Sequence, residues 1–137
     1  MPSLTYECHI ANFGWLPATG EGMIGGTTGK NLQMEAFKVH YSGPGVITVK
    51  VYVDGIGWTA PVRSGDLAGT TGLAKALKAF KIELKDAPCL HVEYCAHLSN
   101  EGWQDWVMDG QEAGCASGPN HIEAIRIRLA HRDPERW

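Results

Sequence analysis

A Gly-Trp pair recurs three times along the 137-residue chain, at Gly14-Trp15, Gly57-Trp58 and Gly102-Trp103, at intervals of 43 and 45 residues. Other markers keep step with it. Seven residues after each Trp stands a glycine (Gly22, Gly65, Gly110) and eleven after it another (Gly26, Gly69, Gly114). An alanine lies ten residues beyond that second glycine, at Ala36, Ala79 and Ala124. Four markers in register three times are an internal triplication, and a repeat of this length constrains the fold more than any local motif does.

Each copy has the same layout. It opens on an alternating stretch, LTYECHI, ITVKVYV or LHVEYCAHL, whose period of two and Tyr, Val and Ile content predict a strand. A turn segment follows (ANFG, DGIG, SNEG), and the Trp opens a second short extended piece. After a Gly-rich loop, GGTTG, AGTTG or AGCASG, the unit closes on MEAFKVHY, LKAFKIEL or IEAIRIRL. By propensity alone LAKALKAFKIEL reads as a helix. Its counterparts are poorer helix formers, and a repeated unit should have one local structure, so the closing segment is expected as a strand in all three. A short helical turn around residues 73–77 is the one local alternative.

The links, SGPG at 42–45 and KDAP at 85–88, are turns rather than linkers. A unit of this size with a few short strands has too little apolar surface to fold alone. Residues 1–137 are therefore expected to form a single all-β domain, with repeats at 4–41, 47–84 and 90–129 sharing one core. A pseudo-threefold β-prism-like arrangement is favoured, because the closing strand is long and two-faced. The alternative is a β-trefoil.

Composition narrows function. With 44% hydrophobic and 20% charged residues the chain reads as an ordinary globular domain. A formal charge of −3 and the lack of any basic block argue against nucleic acid as a partner. The apolar runs are too short for membrane insertion. The N-terminus lacks a signal-peptide pattern. The expected location is thus cytoplasmic as given, or extracellular if the chain is an excised or mature module.

The copies YECHIANFGW with GMIGGTTG and MEAFKV, VKVYVDGIGW with GDLAGTTG and LKAFKI, and YCAHLSNEGW with IEAIRI resemble the clostridial hydrophobic repeats with conserved tryptophan, in three tandem copies covering nearly the whole chain. The second copy departs from the pattern at Tyr52, against His9 and His97, and at Lys78, against Glu35 and Glu123. The third replaces the Thr-Thr-Gly turn with Cys115-Ala116-Ser117-Gly118. The resemblance implies a bacterial, extracellular setting and binding to a surface polymer or protein rather than catalysis.

Trp15, Trp58 and Trp103 are expected in the structural core, with the Gly before each marking a crowded turn that aims the ring inward. Trp106 differs, because Ala18 and Pro61 stand at its place in the other copies. A residue that the shared core does not need is a candidate ligand platform, with Asp105, Asp109 and Asn100 as hydrogen-bonding neighbours. Asn12 and Asp54, in the turns before the other tryptophans, join the candidate ligand-binding set, although short polar residues also favour turns there. The Gly-Thr-Thr-Gly loops lack the Lys-Ser/Thr ending of a phosphate loop and read as turns whose Thr hydroxyls cap backbone groups. His9 and His97 read as hydrogen-bonding sheet positions. No zinc-type Cys/His spacing occurs, so no metal and no cofactor are expected. Cys8, Cys89, Cys95 and Cys115 ignore the repeat and are expected as free thiols, with Cys8 and Cys95 on different strand faces. No nucleophile elbow or carboxylate pair is evident, so no catalytic residues are assigned. These features predict a non-catalytic, lectin-like module for a glycan or cell-surface polymer. The alternative is a protein-binding or structural assembly module of a bacterial surface or virion particle, with a homo-oligomer as one form of it.

Overall fold

The computed structural model describes residues 2–131. The first unit comprises β1 (Ser3–Ile10), β2 (Gly14–Trp15), β3 (Thr19–Gly20), β4 (Gly25–Gly26) and β5 (Met34–Ser42). The second comprises β6 (Val46–Val53), β7 (Gly57–Trp58), β8 (Val62–Arg63), β9 (Ala68–Gly69) and β10 (Leu77–Lys85). The third comprises β11 (Leu90–Leu98), β12 (Gly102–Trp103), β13 (Val107–Met108), β14 (Ala113–Gly114) and β15 (Ile122–His131). There is no helix among the described residues. The Leu73–Ala76 stretch has no helical turn either, and Ala74 takes a left-handed φ of 54°.

In each unit the opening and closing strands pair antiparallel along their length, and the two short strands after the turn fold back onto the opening strand. Strand alternation sends Leu4, Tyr6, Cys8 and Ile10 inward, and Ile47, Val49, Val51 and Val53 likewise. The inward side chains of all three sheets join one buried cluster. Its aromatic contacts cross between units: Phe37 meets Phe80 edge-on at 5.3 Å, and Phe80 meets Tyr94 at 5.2 Å. Three separate sheets facing one core are the prism-like arrangement, not the barrel of hairpins in a trefoil.

The fourth strand of each unit leaves home. β9 of the second unit pairs with β5 of the first, β14 of the third with β10 of the second, and β4 of the first with β15 of the third. The exchange closes the ring, and its contact residues are the repeat's own markers: Gly69 opposite Ala36, Gly114 opposite Ala79, and Gly26 opposite Ala124. A Cβ at Gly69 would lie 2.5 Å from the Glu35 carbonyl, and one at Gly114 only 2.3 Å from that of Lys78. Both glycines also have φ near +100° or +80°, at 103° and 83°. Glycine is required here because the backbones touch.

Each closing strand bulges at the same place. His9 pairs with Ala36 while Ile10 pairs with Met34, so Glu35 is the extra residue; Lys78 and Glu123 are extra in the other units. The bulged carbonyl accepts a neighbour's backbone N–H, from Thr70 to Glu35 at 3.2 Å, Cys115 to Lys78 at 2.9 Å and Thr27 to Glu123 at 3.1 Å. The earlier glycine marker adds a second tie, with Gly22, Gly65 and Gly110 donating to Ile127, Val39 and Ile82 at 2.8, 2.8 and 2.9 Å.

Candidate functional site

Trp15, Trp58 and Trp103 are 39, 38 and 38% exposed, so their expected place in the core is corrected. The reason is register. Trp15 pairs across the hairpin with His9, Trp58 with Tyr52 and Trp103 with His97. Cross-strand partners share a face. Since Cys8 and Ile10 point inward, His9 and Trp15 point outward. Gly14 does not mark crowding either: a Cβ there meets nothing within 4 Å, and glycine serves the positive φ of 76°.

Each indole is held by two neighbours. The ring of His9 meets Trp15 edge-on at 5.2 Å, Tyr52 meets Trp58 at 5.6 Å, and His97 meets Trp103 at 5.2 Å. A cation from the closing strand lies over each: Lys38 Nζ at 5.0 Å, Lys81 Nζ at 4.8 Å and Arg126 Cζ at 5.8 Å. A cation–π contact at an exposed site contributes about 0.5–1 kcal/mol. These residues stand 23 positions after each Trp, so the sequence carries their signal as a cationic position repeated in all three units.

Behind two of the platforms the bulge aims a carboxylate at the histidine. Glu35 Oε1 lies 3.1 Å from His9 Nδ1, and Glu123 Oε1 lies 3.1 Å from His97 Nδ1, both off the line of a hydrogen bond. At the first junction these residues open onto a cleft of about 570 Å³, lined also by Asn12, Gln33 and, from the second unit, Gly72 and Ala74. Gln33 spans it, donating through Nε2 to the Ala74 carbonyl at 3.1 Å.

The other expected site residues divide. Asn12 and Asn100 take left-handed φ values of 73° and 66°, as Gly55 does at 81° in the second unit. They are turn formers, and Asn12 additionally lines the cleft. Asp54 is exposed beside that turn and binds by its backbone N–H to Ala76. The set around Trp106 is not brought together. Asp109 accepts hydrogen bonds through Oδ1 from the backbone of Leu84 (3.4 Å) and Val92 (3.2 Å), tying the second unit to the third. Asn100, at the far end of β11, donates to Asn120 at 3.3 Å. About six residues of extended strand, on the order of 20 Å, separate Asn100 from the level of Asp109. Asp105 is exposed.

Trp106 is half-buried, with the Arg128 guanidinium stacked at 3.8 Å and Arg126 at 5.1 Å. Trp137, which the sequence offers as another packing partner for Trp106, lies outside the described residues. Arg128 also donates to Glu93 at 2.7 Å, and His91 approaches the same carboxylate at 3.0 Å. Burial pushes the Glu93 carboxyl up, but these hydrogen bonds outweigh it and hold the group below the usual carboxylate range.

The Thr hydroxyls of the loops do not cap backbone. Thr27 and Thr70 dock by their N–H groups, while both Oγ1 atoms are buried without a partner. All four cysteines are free; Cys8 faces the core, Cys95 sits opposite Arg126 on the other face of its strand yet is buried, Cys115 packs partly buried against the core, and Cys89 is exposed. Among the described residues no three His, Cys, Asp or Glu side chains group as a metal site.

Fold and surface together define an all-β domain of three interlocked Trp repeats. The family described as ChW, Clostridial hydrophobic W, matches the chain three times, at residues 9–43, 52–86 and 97–131. These matches span most of the sequence, and the protein belongs to that family. No curated protein and no solved structure matches the chain.

Proposed function

We propose that the protein is a non-catalytic, lectin-like module that binds cell-surface or polymeric glycans through the outer faces of its units. The observation that carries this reading is the half-exposed indole repeated at Trp15, Trp58 and Trp103. A sugar ring has an apolar C–H face and a rim of hydroxyls, and an aromatic surface bordered by polar groups complements both. Lys38 and His9 supply such groups beside Trp15, and Asn12 and Gln33 line the cleft that His9 borders. Three weak sites on one rigid body suit a repetitive polymer, because multivalency raises avidity without new contacts.

The test is calorimetric titration of a glycan panel against Trp15→Ala, Trp58→Ala and Trp103→Ala. Each variant should stay folded and lose a site or most of its affinity. Binding that survives all three substitutions overturns the reading. Protein binding is the second reading, favoured by Phe13 and Ile56, equivalent turn residues that are 56 and 54% exposed. A concentration-dependent solution mass abolished by Phe13→Ser with Ile56→Ser supports it.

A further inference from the structure

The middle unit has a different electrostatic character from its neighbours. Residues 46–85 carry six Lys and Arg against three Asp and Glu, while residues 3–42 carry two against three and residues 90–131 two against six. The excess is placed on the outer face. Lys50 of β6 stands directly opposite Lys81 of β10. At the same position the first unit pairs Glu7 with Lys38, and the third pairs Cys95 with Arg126. Like charges directly opposite on antiparallel strands repel. No carboxylate forms an ion pair with either lysine among the described residues. The fold therefore maintains a like-charge pair where its sister units do not.

The pair borders a hollow of about 160 Å³, whose other walls are Thr48, Glu83 and Gly110 of the third unit. Thr48 and Glu83 are themselves opposite one another, so four side chains frame the hollow. Arg63, the partner of Thr48 on its other side, adds a cation at the rim. The Glu83 carboxylate leans toward Gly110, with Oε2 3.6 Å from where a Cβ there would stand. Lys81 also reaches Trp58 at 4.8 Å, which joins the hollow to the aromatic platform.

We propose that this face binds an oxyanion borne on a saccharide, a carboxylate or a phosphate, held between Lys50 and Lys81 with the Thr48 hydroxyl as a further donor and the sugar ring against Trp58. This rests on the glycan-binding reading and names its ligand class at one unit. Lysine ammonium groups bind either oxyanion as point charges, so the source is decided by experiment. Glu83 is the opposing charge within the hollow and weakens the site.

The experiment titrates the protein with oligogalacturonate, its methyl ester and a phosphomannan at low and high salt. The tighter of the two polyanions identifies the oxyanion. Binding should fall with salt, and the methyl ester should bind roughly tenfold more weakly or not at all. Lys50→Glu recreates the Glu–Lys pairing of the first unit, so it should keep or raise the melting temperature while losing roughly five- to tenfold in polyanion affinity. Glu83→Gln should tighten binding. Polyanions that bind no better than the methyl ester, or a Lys50→Glu variant of unchanged affinity, overturn the proposal. The wider reading is tested separately by a neutral glycan and Trp15→Ala with Trp103→Ala. Neutral binding lost in that variant, with no preference for polyanions in the wild type, sinks this proposal alone. Polyanion binding that depends on Lys50 but on no tryptophan sinks the platform reading instead.

Discussion

The first and third units solve one local problem in one way, and the second solves it in another. In all three the closing strand bulges beside the platform and its carbonyl receives the neighbouring unit. In the first and third the bulged residue is a glutamate, only 7 and 5% exposed, with a histidine 3.1 Å away. In the second it is the half-exposed Lys78, and the histidine has become Tyr52. The two positions change together. A buried carboxylate is costly without a partner, so glutamate is tolerated where histidine faces it and is absent where tyrosine does. The backbone interlock is constant, and the side chains on its outer surface are free to diverge in matched sets. Divergence of these outer side chains between units is thereby separated from the stability of the ring.

The largest effects should fall on the constant part. Phe80→Ala removes a fully buried ring that touches both neighbouring units and should cost about 3–5 kcal/mol. Trp58→Ala, on the outer face, should cost only about 1–2 kcal/mol, since less area leaves water and one cation–π contact is lost. Urea denaturation of both variants checks the contrast. Equal losses would put the tryptophan back among the structural residues.

A second contrast separates two kinds of glycine. Gly69→Ala forces a methyl against the Glu35 backbone and should destabilise by about 2–4 kcal/mol. Gly57→Ala has open space, and only its positive φ of 101° opposes the change, at about 1–2 kcal/mol. Thermal melts of the pair measure the difference between backbone contact and backbone conformation.

Those two glycines also show how far the sequence could be read. Both repeat faithfully, so both were visible as markers, as were the alternating strands with Leu4, Tyr6, Cys8 and Ile10 on one face. The partner of a two-residue strand leaves no periodicity, however, so the exchange of Gly69 onto Ala36 was not legible from one chain segment. The outward face of Trp15 was legible in principle. Tight hairpin pairing sets it opposite His9, which alternation already turns outward. The expectation of a core residue came from the size of the indole rather than from its register. Trp106 and Asp109 lie close in sequence, but Asp109 is consumed by backbone groups of two units, a contact that only the ring closure creates.

A smaller effect is expected in alkali. Burial raises the phenols of Tyr6 and Tyr94 to about 12 and the thiol of Cys8 to about 12. The unfolded chain loses these protons near their ordinary values, roughly 10 for the phenols and 8.5 for the thiol. Stability from these groups is complete below those values and is lost as pH rises toward 12. Tyr6 accepts the Ile127 N–H at 3.2 Å, and its hydroxyl donates to the Met23 carbonyl, whereas the second unit has Val49 in that place. Tyr6→Phe with Tyr94→Phe should be less stable at neutral pH yet show a shallower decline between pH 9 and 11. An unchanged slope would assign the alkaline limb elsewhere.

The smallest net change is expected from transplanting the second unit's solution into the first. His9→Tyr alone takes the imidazole from beside the buried Glu35 carboxylate and should cost about 1–2 kcal/mol. Glu35→Lys alone sets an ammonium at a buried bulge next to His9, at a similar cost. The double variant reproduces Tyr52 with Lys78, including an aromatic edge against Trp15 like the one Tyr52 gives Trp58 at 5.6 Å. Lysine's long stem lets its charge reach water while the bulge keeps its carbonyl for Thr70. The double should therefore lie within about 1 kcal/mol of the parent, with a coupling of similar or larger size between the two positions. Chemical denaturation of the four proteins gives the cycle directly. Additive losses would mean that the paired change is coincidence, and that each unit's bulge residue is set by its own surroundings rather than by the residue across the strand.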